Sequence, residues 1–459
     1  VVGAICIGAF MGQLDASIVT LAFPTLSRDF HCSLADVQWV GQAYLLVLVG
    51  LLTAVGRYAD MVGRKLLYTY GFVIFVGASA LCGLAPSLGA LIAFRVLQGA
   101  GAAMFQANSV AIIVGAVPKA HLGRAIGVQG AAQALGLALG PAIGGLLIGF
   151  GGWRLIFDVN VPVGLVGIVG AWLLIPRSRQ LASRARFDWA GLGIFLPAVC
   201  ALLLAVSYGK AYGWRSPIIV SLFVAAVALA TAFIYRERTA SAPLLDLGLF
   251  SRLAFSAGIA SGLLSYMVLF GTLTVVPFFL EIARHDPTGT AGLELLVMPL
   301  GLGLTAPVGG RLAERFGARS LTVGGMALVA MSLVISAVFS SHLAVFLVTL
   351  ATTGIGLGAF TPPNNAAIMA SVAPRQAGMA SGVLNMTRGF GTSLGLALAG
   401  LAYTIGAGVA GDSHSTAHQA LAGYREAAFF LAGVALLAAM VAWLRGGGDL
   451  SGDPLLPAE

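Results

Sequence analysis

Charge is scarce in this chain. Only 9% of its 459 residues are Asp, Glu, Lys or Arg, while 59% are hydrophobic, against about a quarter charged in an ordinary soluble domain. That balance excludes a soluble globular protein. Cysteine is equally sparse: Cys6, Cys82 and Cys200 lie inside apolar runs and Cys32 stands alone in a loop, so neither a disulfide framework nor a metal framework is implied. His31, His121, His285, His342, His414 and His418 fall at helix ends or in loops without ligand spacing. No metal and no cofactor are expected. A phosphate-cradling glycine loop is missing, which disfavours an ATP-driven pump. No nucleophile–base pair suited to an intramembrane enzyme is found. The net charge of +8 does not point to nucleic acid, because the bases are scattered through short loops rather than gathered on one domain. The chain also lacks an initiating Met and begins within an apolar run. We therefore expect a trimmed N-terminus, and that run, carrying Asp15 without a basic leader or cleavage site, does not read as a signal peptide.

Long apolar runs are what the chain has in abundance. A membrane span needs roughly 20 apolar residues at 1.5 Å rise each. Runs of that kind occur at about 1–26, 37–56, 66–87, 89–117, 124–149, 155–175, 190–209, 217–235, 254–281, 291–309, 320–340, 343–372, 379–406 and 424–445. The expectation is an all-α polytopic membrane protein of fourteen helices. With both termini cytoplasmic, seventeen of the 25 bases lie on the inner side and six on the outer, with Arg95 and Arg388 inside helices, as the positive-inside rule requires. The Arg excess and the abundant Ala and Gly suggest a bacterial inner or plasma membrane.

Residues 56–65 (GRYADMVGRK) return as residues 310–319 (GRLAERFGAR), and both copies are short charged islands between apolar runs. Downstream of the first copy, Pro118 to Val128 leads into Gly136 and Gly140. Downstream of the second, Pro374 to Val383 leads into Gly391 and Gly395. Such duplication indicates two homologous halves, a design associated with transporters. The expected organisation is a six-helix bundle over 1–175, a linker with two extra helices over 176–253, a second six-helix bundle over 254–445 and a tail over 446–459.

The 56–65 island, Arg95 to Gly101 (RVLQGAG), Gly136 to Gly145 (GLALGPAIGG), and Leu14 to Val19 (LDASIV) followed by Pro24 together resemble the major facilitator superfamily, within it the fourteen-helix drug:proton antiporter subfamily. The match covers nearly the whole chain. It implies two bundles rocking around a central cavity, and a proton-coupled secondary transporter that exports amphipathic drugs or other small organic molecules. The implied partners are protons, substrate and membrane lipid, and the chain is expected to act as a monomer. An exporter of lipids or lipid conjugates on the same fold is the alternative, and a proton-coupled importer is disfavoured only by the exporter-like 136–145 pattern. The chain departs from the family pattern at Glu281, where relatives usually carry Gln, and at Asp158 and Glu294.

Within that frame, Asp15 in the first helix is the proton-coupling candidate, because an intramembrane carboxylate must be paired, hydrated or protonated. Arg95 lies at a similar depth and is its expected electrostatic partner. Arg388, Asn385, Gln133, Asn364 and Asn365 are candidate cavity residues. Arg388 occupies the repeat position of Gln133 and offers charge balance for Asp15, and Pro362-Pro363 is expected to break its helix and expose backbone. Asp158, Glu281 and Glu294 favour cationic substrates if they face the cavity; an Arg154–Asp158 pair at the interface is the plainer account. For gating, Gly56 and Gly63 are expected to allow a tight turn in which Asp60 caps a helix of the opposite half beside Arg64, with Gly310 and Glu314 as the second copy. Gly136, Gly140 and Gly144 on one helix face, next to Gly145 and a bend at Pro141, are expected to seal or open the interface between halves.

Overall fold

The protein is described here by a computed structural model in which residues 1–32, 34–118, 121–177, 187–240, 243–340, 342–409 and 416–445 are defined. Among these residues there is no strand. The tail 446–459 and the linker bases Arg179, Arg184 and Arg186 fall outside them, as do the side chains of Pro141 and Glu314. Helix α1 (Val2–Ile18) leads through a 3₁₀ turn to the short α2 (Phe23–Asp29). Then follow α3 (Leu34–Val62), α4 (Arg64–Gly83), α5 (Leu88–Ala116), α6 (Leu122–Gly151), the one-turn α7 (Leu155–Asp158) and α8 (Asn160–Leu174). The middle of the chain forms α9 (Trp189–Tyr212) and α10 (Pro217–Thr239). The remainder forms α11 (Leu253–Phe278), α12 (Thr288–Leu295), α13 (Val297–Phe316), α14 (Ala318–Phe339), α15 (Leu343–Ala370), α16 (Ala377–Val409) and α17 (Thr416–Trp443).

Twelve helices are long and apolar enough to cross a membrane, thirteen when α6 is taken as one span. Fourteen were expected. Two runs account for the difference: α6 bends by 43° between Gly140 and Ile143, and α1 is an apolar helix of only 17 residues. The bend lies at the proline of position 141, which has no N–H to give the preceding turn.

The local sequence explains where helices begin. Ser87 accepts from the Ala90 amide to start α5, and Ser216 followed by Pro217 starts α10, each relieving an orphan first-turn donor. Asp188 does the same for α9 through Gly191, and hydrogen bonds from Arg236 hold its carboxyl below the usual range. A depressed carboxylate contributes stability at neutral pH that is lost as pH falls through its folded-state value, below about 3.9. We expect Asp188→Ala to lower the melting temperature of detergent-solubilised protein at pH 7, by a cap's worth of about 1 kcal/mol. An unchanged melting curve would show that the cap contributes nothing.

Two expectations about helix breaks need correction. The charged islands are not loops. Helix α3 continues through residue 62 and α4 restarts at 64, with Gly63 alone between them at φ 115°; Gly317 does the same between α13 and α14 at φ 81°. These two glycines are required by their left-handed backbone, whereas Gly56 and Gly310 are helical. Likewise, Pro362 and Pro363 do not break α15, which runs unbroken from Leu343 to Ala370, because neighbouring helices hold it in place despite the missing donors.

One set of helices packs as α1 on α6 and α8, α4 on α5 and α8, and α3 on α5. Another packs as α13 and α14 on α15, α11 on α16, and α17 on α11, α14 and α16. The two sets meet through α3 against α16 and α6 against α13. Those contacts are reciprocal. A Cβ at Gly56 would strike the Gly378 carbonyl, and one at Gly310 the Gly123 carbonyl. One at Gly382 would strike Leu52, and one at Gly127 the backbone of Ala306 and Pro307. Each pair maps onto the other through the internal repeat. Helix α9 lies against both α3 and α16, with Leu196 over Gly50 and Ser207 bonded to Gln42. It is therefore seated where the two sets join, rather than appended at the side. Helix α10 packs on α9 and exposes Ile218, Val224 and Val227 outward.

Candidate functional site

Asp15 and Arg95 form a salt bridge at 2.7 Å, Nη1 to Oδ2, and both are almost wholly buried at 0% and 1% exposure. The polar residues around them build a network that meets both carboxylate oxygens of Asp15, while Asn160 Oδ1 at its margin is left without a partner. Gln98, one turn after Arg95 on α5, donates to Asp15 Oδ1 at 3.0 Å and to Ser79 Oγ at 3.1 Å, and accepts from Arg95 at 2.6 Å. Asn160, at the start of α8, donates to the same Asp15 oxygen and to Ser79, each at 3.1 Å. The Ser79 hydroxyl on α4 donates a hydrogen bond to the Phe157 carbonyl. Arg95 also donates to the Val40 carbonyl on α3 and lies over the Tyr44 ring at 4.1 Å. A charge pair inside a membrane bundle is tolerable only when its lone pairs and protons are met in this way. The carboxylate thus gathers α1, α4, α5 and α8 around one ionisable proton site. The expected Asp15–Arg95 pairing is present. Sequence reasoning missed Gln98, Ser79 and Asn160, although Gln98 stands inside the Arg95 to Gly101 stretch.

A second site lies at the end of the molecule that carries residue 60. The carboxylate of Asp60, 1% exposed, accepts the backbone N–H groups of Gly378 and Met379, both at 2.9 Å, in the first turn of α16. This is the anticipated cap of a helix N-terminus across the repeat. Arg64 completes it, reaching Asp60 at 2.7 Å and the Pro374 carbonyl at 2.6 Å. Next to it, Asp246 accepts from Gln376 at 2.7 Å, while buried Glu237 of α10 accepts the Leu245 amide at 2.9 Å. The segment after α10 is thereby tied to the same corner. Nothing in the local sequence marks these long-range partners. Because the glycine contacts here are backbone against backbone, an added methyl overpacks them at about 1–3 kcal/mol. Gly127→Ala and Gly382→Ala should each lower the melting temperature, and additively, since they sit on different helix pairs; no effect from either would show that the helices are not in close contact.

Arg388, 9% exposed on α16, donates to Asn385 Oδ1 at 3.0 Å and reaches Gln133 Oε1 of α6 at 3.5 Å, so the two repeat-related positions do face each other. Asn385 also donates to the Gln106 carbonyl of α5. Arg388 lines a narrow cleft of about 10 Å³ with Tyr266, Ser265, Thr361, Asn364, Asn365 and Thr387. It does not balance Asp15, whose charge Arg95 already meets.

The remaining candidates are not drawn together. Arg154 stacks on Trp153 and reaches the Ala85 carbonyl, and no ion pair joins it to Asp158 among the described residues. Asp158 packs instead against Gly83. Glu281 lies exposed on a π-turn after α11, where Arg284 pairs with Asp286. Glu294 is on α12. None of these three acids lines the cleft. Gly136 and Gly140 press on Phe10 and Ser17 of α1, not on α13, and Gly145 faces open space. The interface between the two sets is made lower on α6 by Gly123 and Gly127. A small-residue face permits close approach without specifying which neighbour makes it.

A family model described as Major Facilitator Superfamily matches residues 5–190 and 287–454. The chain is 33% identical over 395 residues to the riboflavin transporter RibZ of Clostridioides difficile, covering 86% of this chain and 85% of that one. It is 35% identical over 398 residues to the multidrug resistance protein Stp of Mycobacterium tuberculosis, covering 86% and 74%. Against the tetracenomycin C resistance and export protein of Streptomyces glaucescens it is 32% identical over 428 residues, covering 93% and 80%. In fold it resembles the human organic anion transporter MFSD10, with a TM-score of 0.66 at 13% identity over 96% of this chain and 98% of that one. The proton:xylose symporter XylE gives 0.65 at 15% over 96% and 94%. The matched family, the all-helical fold and the duplicated packing agree: this chain belongs to the Major Facilitator Superfamily and is a multi-pass membrane transporter, not an enzyme.

Proposed function

We infer that the chain is a proton-coupled exporter of amphipathic, drug-sized organic molecules, of the fourteen-helix antiporter type, working as a single chain by alternating access. The observation that carries this reading is the buried Asp15–Arg95 pair. A carboxylate held by Arg95, Gln98 and Asn160 can exchange its partners for a proton only if those helices shift, and that linkage between protonation and conformation is what coupling requires. The names of the drug-resistance relatives support the substrate class. A further relative, named a riboflavin transporter rather than a resistance protein, extends that class to a planar heteroaromatic compound.

The fourteen spans are α1, α3 to α6, α7 with α8, α9 to α11, α12 with α13, and α14 to α17. Helix α1 serves as the first although it is short. Residues 1–175 and 254–445 are the rocking bundles, and α9 and α10 are the additional pair; the family match leaves out residues 191–286, which hold nearly all of that pair together with α11. Both termini are cytoplasmic, in keeping with the distribution of bases. On that orientation the Asp60 contact and its glycine neighbours close the cytoplasmic side, and releasing them opens the cavity inward.

Export of lipid conjugates is the second reading. It is favoured by an apolar cleft of about 230 Å³ between α9, α11 and α16, lined by Leu202, Leu203, Val206, Leu263, Phe390 and Leu394. Proteoliposomes with an imposed pH gradient, offered ethidium, riboflavin, 1-naphthoate and a fluorescent phospholipid, decide between the two. Gradient-driven movement of a soluble compound is expected; movement of the phospholipid alone would favour the second reading, and none at all would overturn both.

A further inference from the structure

The cleft beside Arg388 is unusual in its charge. Helices α11, α15 and α16, which line it, and α5 and α6, which face it, contain no Asp or Glu at any position. The buried carboxylates that do pair with an arginine do so elsewhere, Asp15 with Arg95, Asp60 with Arg64 and Asp188 with Arg236. Arg388 is therefore a nine-tenths-buried guanidinium with no carboxylate partner. Both of its hydrogen bonds, to Asn385 and Gln133, leave through Nη1. The Nε and Nη2 donors, one edge of the planar fork, have no acceptor among the described residues.

A second cation stands behind the same wall. Arg445, also 9% exposed, donates to the Oδ1 and backbone oxygens of Asn364, whose own amide donates to Gly258; Asn364 and Gly258 both line the cleft. Burial pushes the pKa of Arg445 down to about 10, so it stays charged at neutral pH. Two desolvated positive charges with neutral amide and hydroxyl neighbours give a field that repels cations and welcomes a diffuse anion. The Tyr266 ring, 5.4 Å from the Arg388 guanidinium and stacked on Phe270, gives the cleft an aromatic wall against which a substrate ring can pack.

Resting on the exporter reading, we propose that this cleft is the subsite for the anionic group of an aromatic substrate, a carboxylate, sulfonate or phenolate, taken edge-on by Arg388 while the ring system lies along Tyr266. A carboxylate meets the free Nε–Nη2 edge with two parallel hydrogen bonds, and the cleft widens to admit it as the bundles part. The transporter thereby selects organic anions and zwitterions over simple organic cations. This runs against the cation preference that Asp158, Glu281 and Glu294 suggest from sequence, since none of those acids lines the cleft.

Binding of three matched probes to detergent-solubilised protein tests the proposal: 1-naphthoate, methyl 1-naphthoate and 1-naphthylmethylammonium, measured by equilibrium dialysis. Wild type should bind the carboxylate at least about tenfold tighter than the ammonium. Arg388→Gln should bring the two within about twofold, and Arg388→Lys, which keeps the charge and loses the fork, should fall between. Size-exclusion profiles establish that each variant is folded. An ammonium bound as tightly as the carboxylate, a carboxylate affinity untouched by Arg388→Gln, or no carboxylate binding by wild type overturns the subsite. Gradient-driven ethidium movement by the same wild-type preparation would then leave the exporter reading standing while the anion subsite falls.

Discussion

Asp15→Asn is expected to abolish transport driven by a pH gradient while the protein still reaches the membrane. The substitution keeps shape and removes the titratable proton, but it also strands Arg95 at 1% exposure with no counter-charge. Breaking one side of a buried pair costs about 3–5 kcal/mol, so a marked drop in melting temperature should accompany the loss of coupling. The two effects separate in the double variant Asp15→Asn, Arg95→Gln. Removing both charges restores most of the lost thermal stability, because Gln98, Ser79 and Asn160 can satisfy a neutral pair of amides, while coupling stays absent. Full restoration of gradient-driven transport along with stability would mean that the pair only holds helices together.

Asp60→Ala should shift the protein toward the state open at the end bearing residue 60. The side chain is the acceptor for two first-turn amides of α16 and the anchor for Arg64. Truncating one partner of a buried, hydrogen-bonded charge costs about 2–5 kcal/mol, and at roughly 1.4 kcal/mol per decade that exceeds tenfold in the equilibrium. The reporter is Ser381→Cys, fully buried next to Gly382, which presses on Leu52 of α3, in a background without Cys6, Cys32, Cys82 and Cys200. Its alkylation rate should rise at least about tenfold when Asp60 is removed; an unchanged rate would deny Asp60 any part in holding that end shut. Gly56→Ala should act in the same direction, since its methyl would meet the Gly378 carbonyl.

What the sequence made legible was repetition and scarcity. The duplicated glycines predicted two equivalent halves, and the structure uses them in reciprocal pairs, Gly56 with Gly378 and Gly310 with Gly123. A lone carboxylate in an apolar run drew attention to Asp15, and similar depth drew Arg95 to it. What stayed hidden was choice of neighbour. The glycine face at Gly136 and Gly140 fits any close-packed helix, and it chose α1. The prolines of α15 looked like a break because a proline cannot donate, yet surrounding helices can hold such a segment straight. Arg445 and Asn364 are 81 residues apart, and no local pattern joins them. The span count strained for a related reason: α1 and α6 fall short in length or straightness, not in apolarity.

The central claim is that a proton leaves or enters at Asp15 each time the cavity changes sides. Proteoliposomes containing the well-folded double variant Asp15→Asn, Arg95→Gln, with a pH-sensitive dye trapped inside, test it most directly. On adding ethidium, riboflavin or 1-naphthoate outside, wild type should move protons across the membrane in step with whichever compound it carries, and the double variant should move none. Proton flux of wild-type size from the double variant would contradict the account.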